Sequence, residues 1–196
     1  MSSESLLLFL KEIDRLKQVE RQTLIHSGGR RENSAEHSWH LAMAVLIFKD
    51  LSSQPIALEK ALKMALIHDI VEIDAGDTFI YGDLTNKKSL EEAAIQRIMG
   101  LLPMSLGEEL KALWYEFEVR ESAEAKYVAA LDKFLPLYSN SLNQGYSWQN
   151  HQVTADKVLN NIKNPAQDAI PQLWKIAQSL IETAIVKDEL LPKSQK

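Results

Sequence analysis

The sequence predicts an all-α protein, a single helical bundle. Apolar residues recur at spacings of three and four along most of its 196 residues, which is typical of amphipathic helices around a core. Glycine and proline are sparse, 7 and 6 in all, and stand at breaks in that pattern. No segment shows a convincing strand pattern. We therefore expect one domain over residues 1–196, with a core of about 15–140 and C-terminal helices in 149–187 packing on it.

The first half of the chain predicts three helices. The first has an apolar face made of Leu6, Phe9, Leu10, Ile13 and Leu16, and a loop from His26 to Arg30 follows it. A second helix opens at Asn33 or Ser34, either of which can act as its N-cap. Its predicted inner face consists of His37, Leu41, Ala44, Val45 and Phe48. A third helix is expected from Pro55, with an inner face of Leu58, Ala61, Leu62 and Ala65 that continues into Asp69 and Glu72.

The second half predicts further helices separated by short polar breaks. A polar loop is expected from Thr78 to Lys88, and Ser89 would cap a helix that runs through Leu101. After Pro103 and Gly107 we expect a helix near 108–118, and then a long apolar helix from Ser122 through Tyr138. The remaining pattern predicts two helices, at roughly 149–161 and 165–187.

Composition excludes several classes of protein. The net charge is −5 with acids and bases mixed and no basic stripe, so duplex nucleic-acid binding is not expected. The absence of cysteine excludes disulfides and thiolate metal sites and fits a reducing compartment. No apolar run approaches the ~20 residues of a membrane span, and the run at 6–10 is too short for a signal peptide. We expect a cytoplasmic protein with no membrane partner.

A histidine–aspartate doublet, His68-Asp69, ends the third predicted helix. Asp69 and Glu72 are three residues apart, so they share the face that buries its apolar stripe. Buried acids need a partner, and imidazole with carboxylate suits a divalent metal. The alternative is an ordinary polar C-terminal turn, in which a histidine suits the helix dipole but acids are disfavoured. The doublet therefore favours a metal site.

Two further residues stand out on apolar faces. Asp132 falls in the inner stripe of the long helix, and Pro136, four residues later, cannot donate to its carbonyl and should kink the helix. An Asp132 paired with an arginine or lysine is the alternative interpretation. A lone histidine such as His37 is more often a satisfied core residue than a ligand, so it gains weight only beside the other groups.

Taken in order, these pieces resemble the HD-domain superfamily of metal-dependent phosphohydrolases, over about residues 15–138. Its pattern is a histidine on one helix, a His-Asp doublet on a later helix and a distant aspartate. The resemblance is closer to one branch, the bacterial 5′-deoxynucleotidases and related eukaryotic HD-domain-containing proteins. The segments that carry it are Glu32–Ser38, His68–Asp77, and Ser122–Lys126 with Leu131-Asp132.

The resemblance implies roles for individual residues. It makes His37, His68, Asp69 and Asp132 the ligands of one divalent ion, Glu72 the catalytic carboxylate, and Arg21 and Asp77 substrate-binding groups. The deoxynucleotidases have a tryptophan after the arginine, where this chain has Gln22. Binuclear members use extra histidines before the final aspartate, and none lies between 69 and 132 here. Co, Mn, Fe, Ni, Zn and Mg all remain open as the metal.

These expectations lead to one functional hypothesis and several alternatives. The hypothesis is a phosphomonoesterase that hydrolyses nucleoside or deoxynucleoside 5′-monophosphates, with Arg21 or a nearby Arg30 or Arg31 neutralising the phosphate. The resemblance also implies a homodimer. The alternatives are a hydrolase of another phosphate ester or of nucleoside triphosphates, a non-catalytic nucleotide sensor, and a purely structural helical protein.

Overall fold

The computed structural model describes residues 3–78 and 87–192, and within those ranges the fold is built almost entirely of helices. Their bounds are α1 (Ser3–Ile13), α2 (Ser34–Ile47), α3 (Leu58–Ile67), α4 (Glu72–Ala75), α5 (Lys87–Met99), α6 (Met104–Val119), α7 (Ala123–Leu142), α8 (Tyr146–Asn150), α9 (Ala155–Ala169) and α10 (Pro171–Val186). Short 3₁₀ turns occupy Asp14–Gln18 and Lys49–Leu51. The predicted all-α class is confirmed. Among the helices described, none is long and apolar enough to cross a membrane.

A small antiparallel sheet interrupts the helices, and the prediction that the chain has no strand was wrong. Strand β1 (Glu20–Leu24) pairs with β2 (Arg31–Asn33) across the predicted His26–Arg30 loop. The strands are short and mostly polar, so their composition lacks the apolar alternation by which a strand is recognised. The hairpin matters because its two strands carry Arg21 and Glu32.

Helix α2 begins where the sequence predicted. Asn33 forms a capping box, because its Oδ1 accepts from the backbone N–H of Glu36 at 2.9 Å while Glu36 Oε2 accepts from the N–H of Asn33 at 3.1 Å. The cap fixes the first turn of α2, which carries His37. Most of the predicted inner face is buried, including His37 and Leu41.

The third helix ends earlier than the sequence predicted. It begins at Leu58 rather than Pro55, and it stops at Ile67 instead of continuing through Glu72. The backbone then forms a tighter turn, since the N–H of Ile70 donates to the carbonyl of Ile67 at 3.1 Å and that of Glu72 to the carbonyl of Asp69 at 3.0 Å. These hydrogen bonds join residues three apart, as in a 3₁₀-helix, rather than four apart, as in an α-helix. Glu72 therefore starts a separate short helix, α4, beside the doublet.

Later boundaries agree with the sequence in part. Helix α7 begins next to Ser122, where its start was predicted, and the Ser122 side chain caps it by accepting from the N–H of Ala125 at 3.3 Å. The predicted start of a helix at Pro165 was wrong, because Pro165 lies inside α9 and the break falls at Pro171. Either proline suits the first turn of a helix, so the pattern could not choose between them. Helix α5 begins at Lys87, and residues 79–86 of the predicted polar loop lie outside the described residues.

Helix α7 lies at the centre of the described fold. It packs against α2, α3, α6, α9 and α10, so two of the C-terminal helices cover it. The buried Tyr127 hydroxyl donates to the carbonyl of Val45 at 2.9 Å, and this carbonyl belongs to the last turn of α2, where no helical donor follows. The turn after α3 lies between two apolar clusters, one holding Met64 and the other holding Ile70.

Candidate metal centre

Three elements bring the four predicted ligands to one place. His37 lies on the first turn of α2, His68 and Asp69 lie in the turn after α3, and Asp132 lies in the middle of α7. Asp132 Oδ1 is 3.0 Å from His37 Nε2 and 3.6 Å from His68 Nε2. Asp69 Oδ2 is 3.1 Å from His68 Nε2. Ligand atoms of His37, His68 and Asp69 all lie within 4.8 Å of one another.

The donor atoms fit a divalent cation. Neighbouring ligands of an ion with bonds of ~2.1 Å stand ~3 Å apart, which matches the closest distances in this cluster. His68 Nδ1 is 2.9 Å from the carbonyl of Ala65, so in the neutral ring Nδ1 carries the proton and Nε2 offers its lone pair to the centre. That Nε2 is buried, and despite its short distance to Asp69 it has no hydrogen-bond partner among the described residues.

The electrostatics of the cluster favour added positive charge. Burial opposes ionisation of Asp69, but His68 and Arg21 hold the pKa of its carboxyl below the usual range. Burial likewise opposes ionisation of Asp132, while Lys133 and His37 keep its pKa well below the usual range. Burial would lower the pKa of His68, yet Asp69 and Asp132 raise it to about 10. Without an ion, Asp69 and Asp132 thus stabilise the protonated imidazole of His68. A bound metal ion would supply that positive charge instead.

Glu72 lies beside the ligands in a different electrostatic state. It is buried at the start of α4, and Ser34 Oγ on the first turn of α2 donates to its Oε2 at 2.5 Å. Burial, with the charge of Asp69, raises the pKa of Glu72 to about 8. Two neighbouring carboxyls, one ionised and one holding a proton near neutral pH, form the arrangement that acid–base chemistry needs.

Arg21 reaches the centre from β1 and is surrounded by acids. Its Nη1 lies 2.7 Å from Asp69 Oδ2, 3.9 Å from Asp77 Oδ1 and 4.0 Å from Glu72 Oε2, and its Nε lies 3.7 Å from Glu32 Oε2. Burial would lower the pKa of Arg21, but Asp69, Glu72, Asp77 and Asp132 raise it well above its ordinary value. The guanidinium is therefore hydrogen-bonded to Asp69 and stands close to three further carboxyl groups.

Asp77 also reaches the site. Gly76, with a φ of 74°, ends α4 in a conformation that favours glycine and directs the chain to Asp77 beside Arg21. Burial raises the pKa of Asp77. The structure does not bring the other two candidate arginines to the site. Arg30 pairs with Glu36 on the surface at 2.6 Å, and Arg31 is exposed.

Sequence reasoning assigned no role to Glu32, although it lies in the motif from Glu32 to Ser38. Glu32 is buried on β2, with Oε2 3.4 Å from His37 Nδ1 and Oε1 4.0 Å from His40 Nδ1. Burial opposes its ionisation, but His37 and Arg21 lower its pKa. A carboxylate behind a metal-ligating histidine orients the ring. Its position became visible only with the hairpin, which the sequence did not predict.

Lys133 was also missed. Its Nζ donates to Asp132 Oδ2 at 2.7 Å, while Oδ1 of the same carboxylate faces both histidines. The sequence-based alternative for Asp132, a partner of opposite charge, is therefore present together with the histidines. The signal was available, because Lys133 directly follows Asp132 and a buried carboxylate needs a cation.

A cavity of about 120 Å³ opens from this centre. Residues of β1, of α4 and of the turns before and after α4 give it polar walls, and helices α7, α8 and α9 line its other side. Gln22 lies at its edge, where Oε1 is 3.2 Å from His151 Nε2. The residues that line the cavity include Arg21, Gln22, Thr23, Asp69, Glu72, Asp77, Lys87, Asp132, Lys133, Pro136, Leu137, Asn140, Trp148 and Asn161.

Comparison with known proteins agrees with this arrangement. The model of the HD domain family matches residues 13–174. The chain belongs to the HD-domain family. Human 5′-deoxynucleotidase HDDC2 is 34% identical over 134 residues, which are 67% of this chain and 64% of the human protein. The chain thus spans just under two thirds of the length of that relative. The 5′-deoxynucleotidase hdd1 of Schizosaccharomyces pombe is 32% identical over 67% of this chain and 69% of its own.

A solved structure resembles the whole described fold. The predicted metal-dependent phosphohydrolase of Magnetospirillum magnetotacticum MS-1 is 40% identical, covers 96% of this chain and 95% of its own, and has a TM-score of 0.90. The PH0347 protein of Pyrococcus horikoshii OT3 has a TM-score of 0.63 at 23% identity over 90% of this chain and 98% of its own. This second likeness concerns the fold alone.

The centre predicts a specific metal stoichiometry. After saturation with a divalent metal and desalting, elemental analysis should find one ion per chain. Asp69→Ala should lose it, because the variant removes one of only two anionic ligands. His151→Ala, which removes an exposed histidine outside the cluster, is the matched control and should retain it. Less than half an equivalent in the wild-type protein would contradict the ligand set.

Proposed function

We propose that the protein is a metal-dependent phosphomonoesterase that converts nucleoside or deoxynucleoside 5′-monophosphates to nucleoside and phosphate. The observation that carries the proposal is the cluster of His37, His68, Asp69 and Asp132 beside Glu72, a buried carboxyl whose pKa is raised to about 8. The names of the human and yeast relatives, both 5′-deoxynucleotidases, support the substrate class. A purely structural role would leave these buried acids without an explanation.

The proposed mechanism assigns tasks to residues of this chain. A bound divalent metal would supply Lewis-acid polarisation of the phosphate and a water of lowered pKa. His37, His68, Asp69 and Asp132 would hold it. Glu72 would donate its proton to the 5′-oxygen as the bond from phosphorus to that oxygen breaks and the oxygen of water bonds to phosphorus, and the proton released by that water would restore the acid form of Glu72. Arg21 would keep Asp69 and Asp77 in place, and Glu32 would orient His37.

A substitution of Glu72 tests catalysis separately from metal binding. Glu72→Gln keeps the shape of the side chain and removes its acid function, so it should retain the metal and lose ~10²–10⁴-fold in kcat. Elemental analysis and phosphate release from a panel of ribo- and deoxyribonucleotides measure the two effects. Glu182→Gln, an exposed position on α10, is the control.

Three results of that panel would argue against the proposal. Near-normal turnover by Glu72→Gln at saturating substrate would show that Glu72 is not the proton carrier. Release of phosphate only from nucleoside triphosphates or from non-nucleotide esters would favour the alternative hydrolases. Tight nucleotide binding without release under any divalent metal would favour a nucleotide sensor.

Sugar selectivity is expected to be weak. Rejecting a 2′-hydroxyl needs a bulky wall or an unmet polar group, and a glutamine amide at position 22 is small and able to hydrogen-bond a hydroxyl. Its Oε1 contacts His151, so its amide N–H groups are the part available to a sugar. We therefore expect AMP as well as dAMP to be hydrolysed. This expectation assumes that no aromatic side chain fills the gap.

Three aromatic residues bear on that assumption. Trp148 on α8 is buried and lines the cavity. Trp39 is exposed on α2 and is absent from the cavity walls formed by the described residues, whereas Phe79 lies outside those residues. The ratio of kcat/KM for dAMP and AMP measures the selectivity directly. A preference for dAMP above ~100-fold, about 2.7 kcal/mol in transition-state binding, would show that another residue sets it.

The assembly and location implied by the sequence are also proposals. A homodimer is supported by an apolar stripe along the outer face of α2, formed by the exposed residues Trp39, Met43, Leu46 and Ile47. Sedimentation equilibrium should give twice the 22.2 kDa chain mass, and Ile47→Glu should lower it to one chain. Val186→Glu, at an exposed apolar position on α10, is the control. A monomeric wild type would contradict the homodimer. The cytoplasmic location stays a prediction.

A further inference from the structure

A phosphate dianion at this centre needs a cation whose charge is not already neutralised. Arg21 meets that need only in part, because it is hydrogen-bonded to Asp69 at 2.7 Å and three further carboxyl groups lie within 4.0 Å of its guanidinium nitrogens. Its positive charge stabilises the ionised acids among them, so we expect the main contact to phosphate from a cation with fewer acidic neighbours.

Lys133 also lines the cavity and has fewer acidic neighbours than Arg21. It follows Asp132 on α7 and has a side chain that is 16% exposed. Its Nζ donates a hydrogen bond to Asp132 Oδ2 at 2.7 Å, and among the described residues Asp132 is its acceptor. An ammonium group has three N–H donors, so two remain for a ligand in the cavity.

The geometry of Asp132 places this ammonium next to the metal ligands. Oδ1 lies 3.0 Å from His37 Nε2, and Oδ2 of the same carboxylate accepts from Lys133. A substrate that enters from the cavity therefore has the Lys133 ammonium on one side of the Asp132 carboxylate and the two histidines on the other. A phosphate group, with several anionic oxygens, could contact the ammonium and an ion held by this cluster at the same time.

The other lysine of the cavity is less suitable. Lys87 at the start of α5 is paired with Glu91 at 3.4 Å. Burial would lower the pKa of Lys87, but Glu91 raises it, and that carboxylate is separate from the metal ligands. Among the described residues, Lys87 interacts with Asp69 electrostatically but is hydrogen-bonded to Glu91, whereas Lys133 is hydrogen-bonded to Asp132.

We propose that Lys133 is a substrate-binding residue that donates hydrogen bonds to the phosphate group while its remaining donor holds Asp132. The proposal rests on the proposed function for the identity of the substrate, but it concerns phosphate recognition and can be tested without turnover. It makes Lys133 the principal phosphate-contacting cation of the protein and leaves Arg21 as a positioning residue for the acids around it.

Calorimetric titration of orthophosphate into the metal-loaded protein tests this assignment. Lys133→Met keeps the length of the side chain and removes the charge, so the dissociation constant for phosphate should rise at least about tenfold. Lys126→Met is the matched control, because Lys126 is an exposed lysine on the same helix, and its dissociation constant should stay at the wild-type value. Metal content is measured in parallel and should stay at one equivalent in both variants.

Several outcomes would overturn the proposal. Wild-type phosphate affinity in metal-loaded Lys133→Met would do so, as would an absence of measurable phosphate binding to the wild-type protein. Loss of the metal in Lys133→Met, with normal phosphate affinity after reloading, would mean that Lys133 only holds Asp132. Lysine-dependent phosphate binding without turnover of any nucleotide would support this proposal and contradict the proposed function, so the two failures are distinguishable.

Discussion

The site is organised by an excess of buried carboxylates. Five acids converge on it, namely Glu32, Asp69, Glu72, Asp77 and Asp132, and the described cations in contact with them are Arg21 and Lys133. Taking a carboxylate out of water costs several kcal/mol unless a positive charge compensates it. Two histidines complete the cluster, and His68 takes up a proton in the absence of an ion. The arrangement therefore favours an added cation, and its imidazole and carboxylate groups suit a divalent metal.

The fold can be understood as the means of holding these charges together. The capping box at Asn33 fixes the first turn of α2, which supplies both His37 and the hydroxyl that binds Glu72. The early end of α3 creates a tight turn for the doublet, anchored by Trp114, whose indole N–H donates to the carbonyl of His68 at 3.0 Å. Burial of α7 under α9 and α10 keeps Asp132 out of water. Each ligand is thus fixed by packing of its own element.

Much of this could be predicted from the sequence. Helical class, the cap of α2 and the start of α7 follow from local rules of periodicity and capping, and they are confirmed. The four ligands were predicted because polar residues on apolar faces are costly and because their order resembles a family. Their roles, with those of Glu72, Arg21 and Asp77, stay predictions, although the structure brings all seven residues together.

The parts that could not be predicted depend on tertiary contacts. The hairpin of β1 and β2 is too short and polar for a recognisable pattern, so the burial of Glu32 and the enclosure of Arg21 were invisible. Arg21 was expected to face phosphate, but only the structure shows four carboxylates around it. The break after Ile67 lies where the chain passes from the apolar cluster that contains Met64 to the one that contains Ile70. Helical periodicity does not encode this change of cluster.

The central claim is that a divalent cation balances the buried carboxylates. Urea unfolding of the chelator-treated protein, with and without each candidate divalent ion, tests it most directly. The account predicts that at least one ion raises the free energy of unfolding by about 2.7 kcal/mol when its free concentration is ~100 times its dissociation constant. The same increment should vanish in His68→Gln. An unfolding free energy that no divalent ion changes in the wild-type protein would contradict the account.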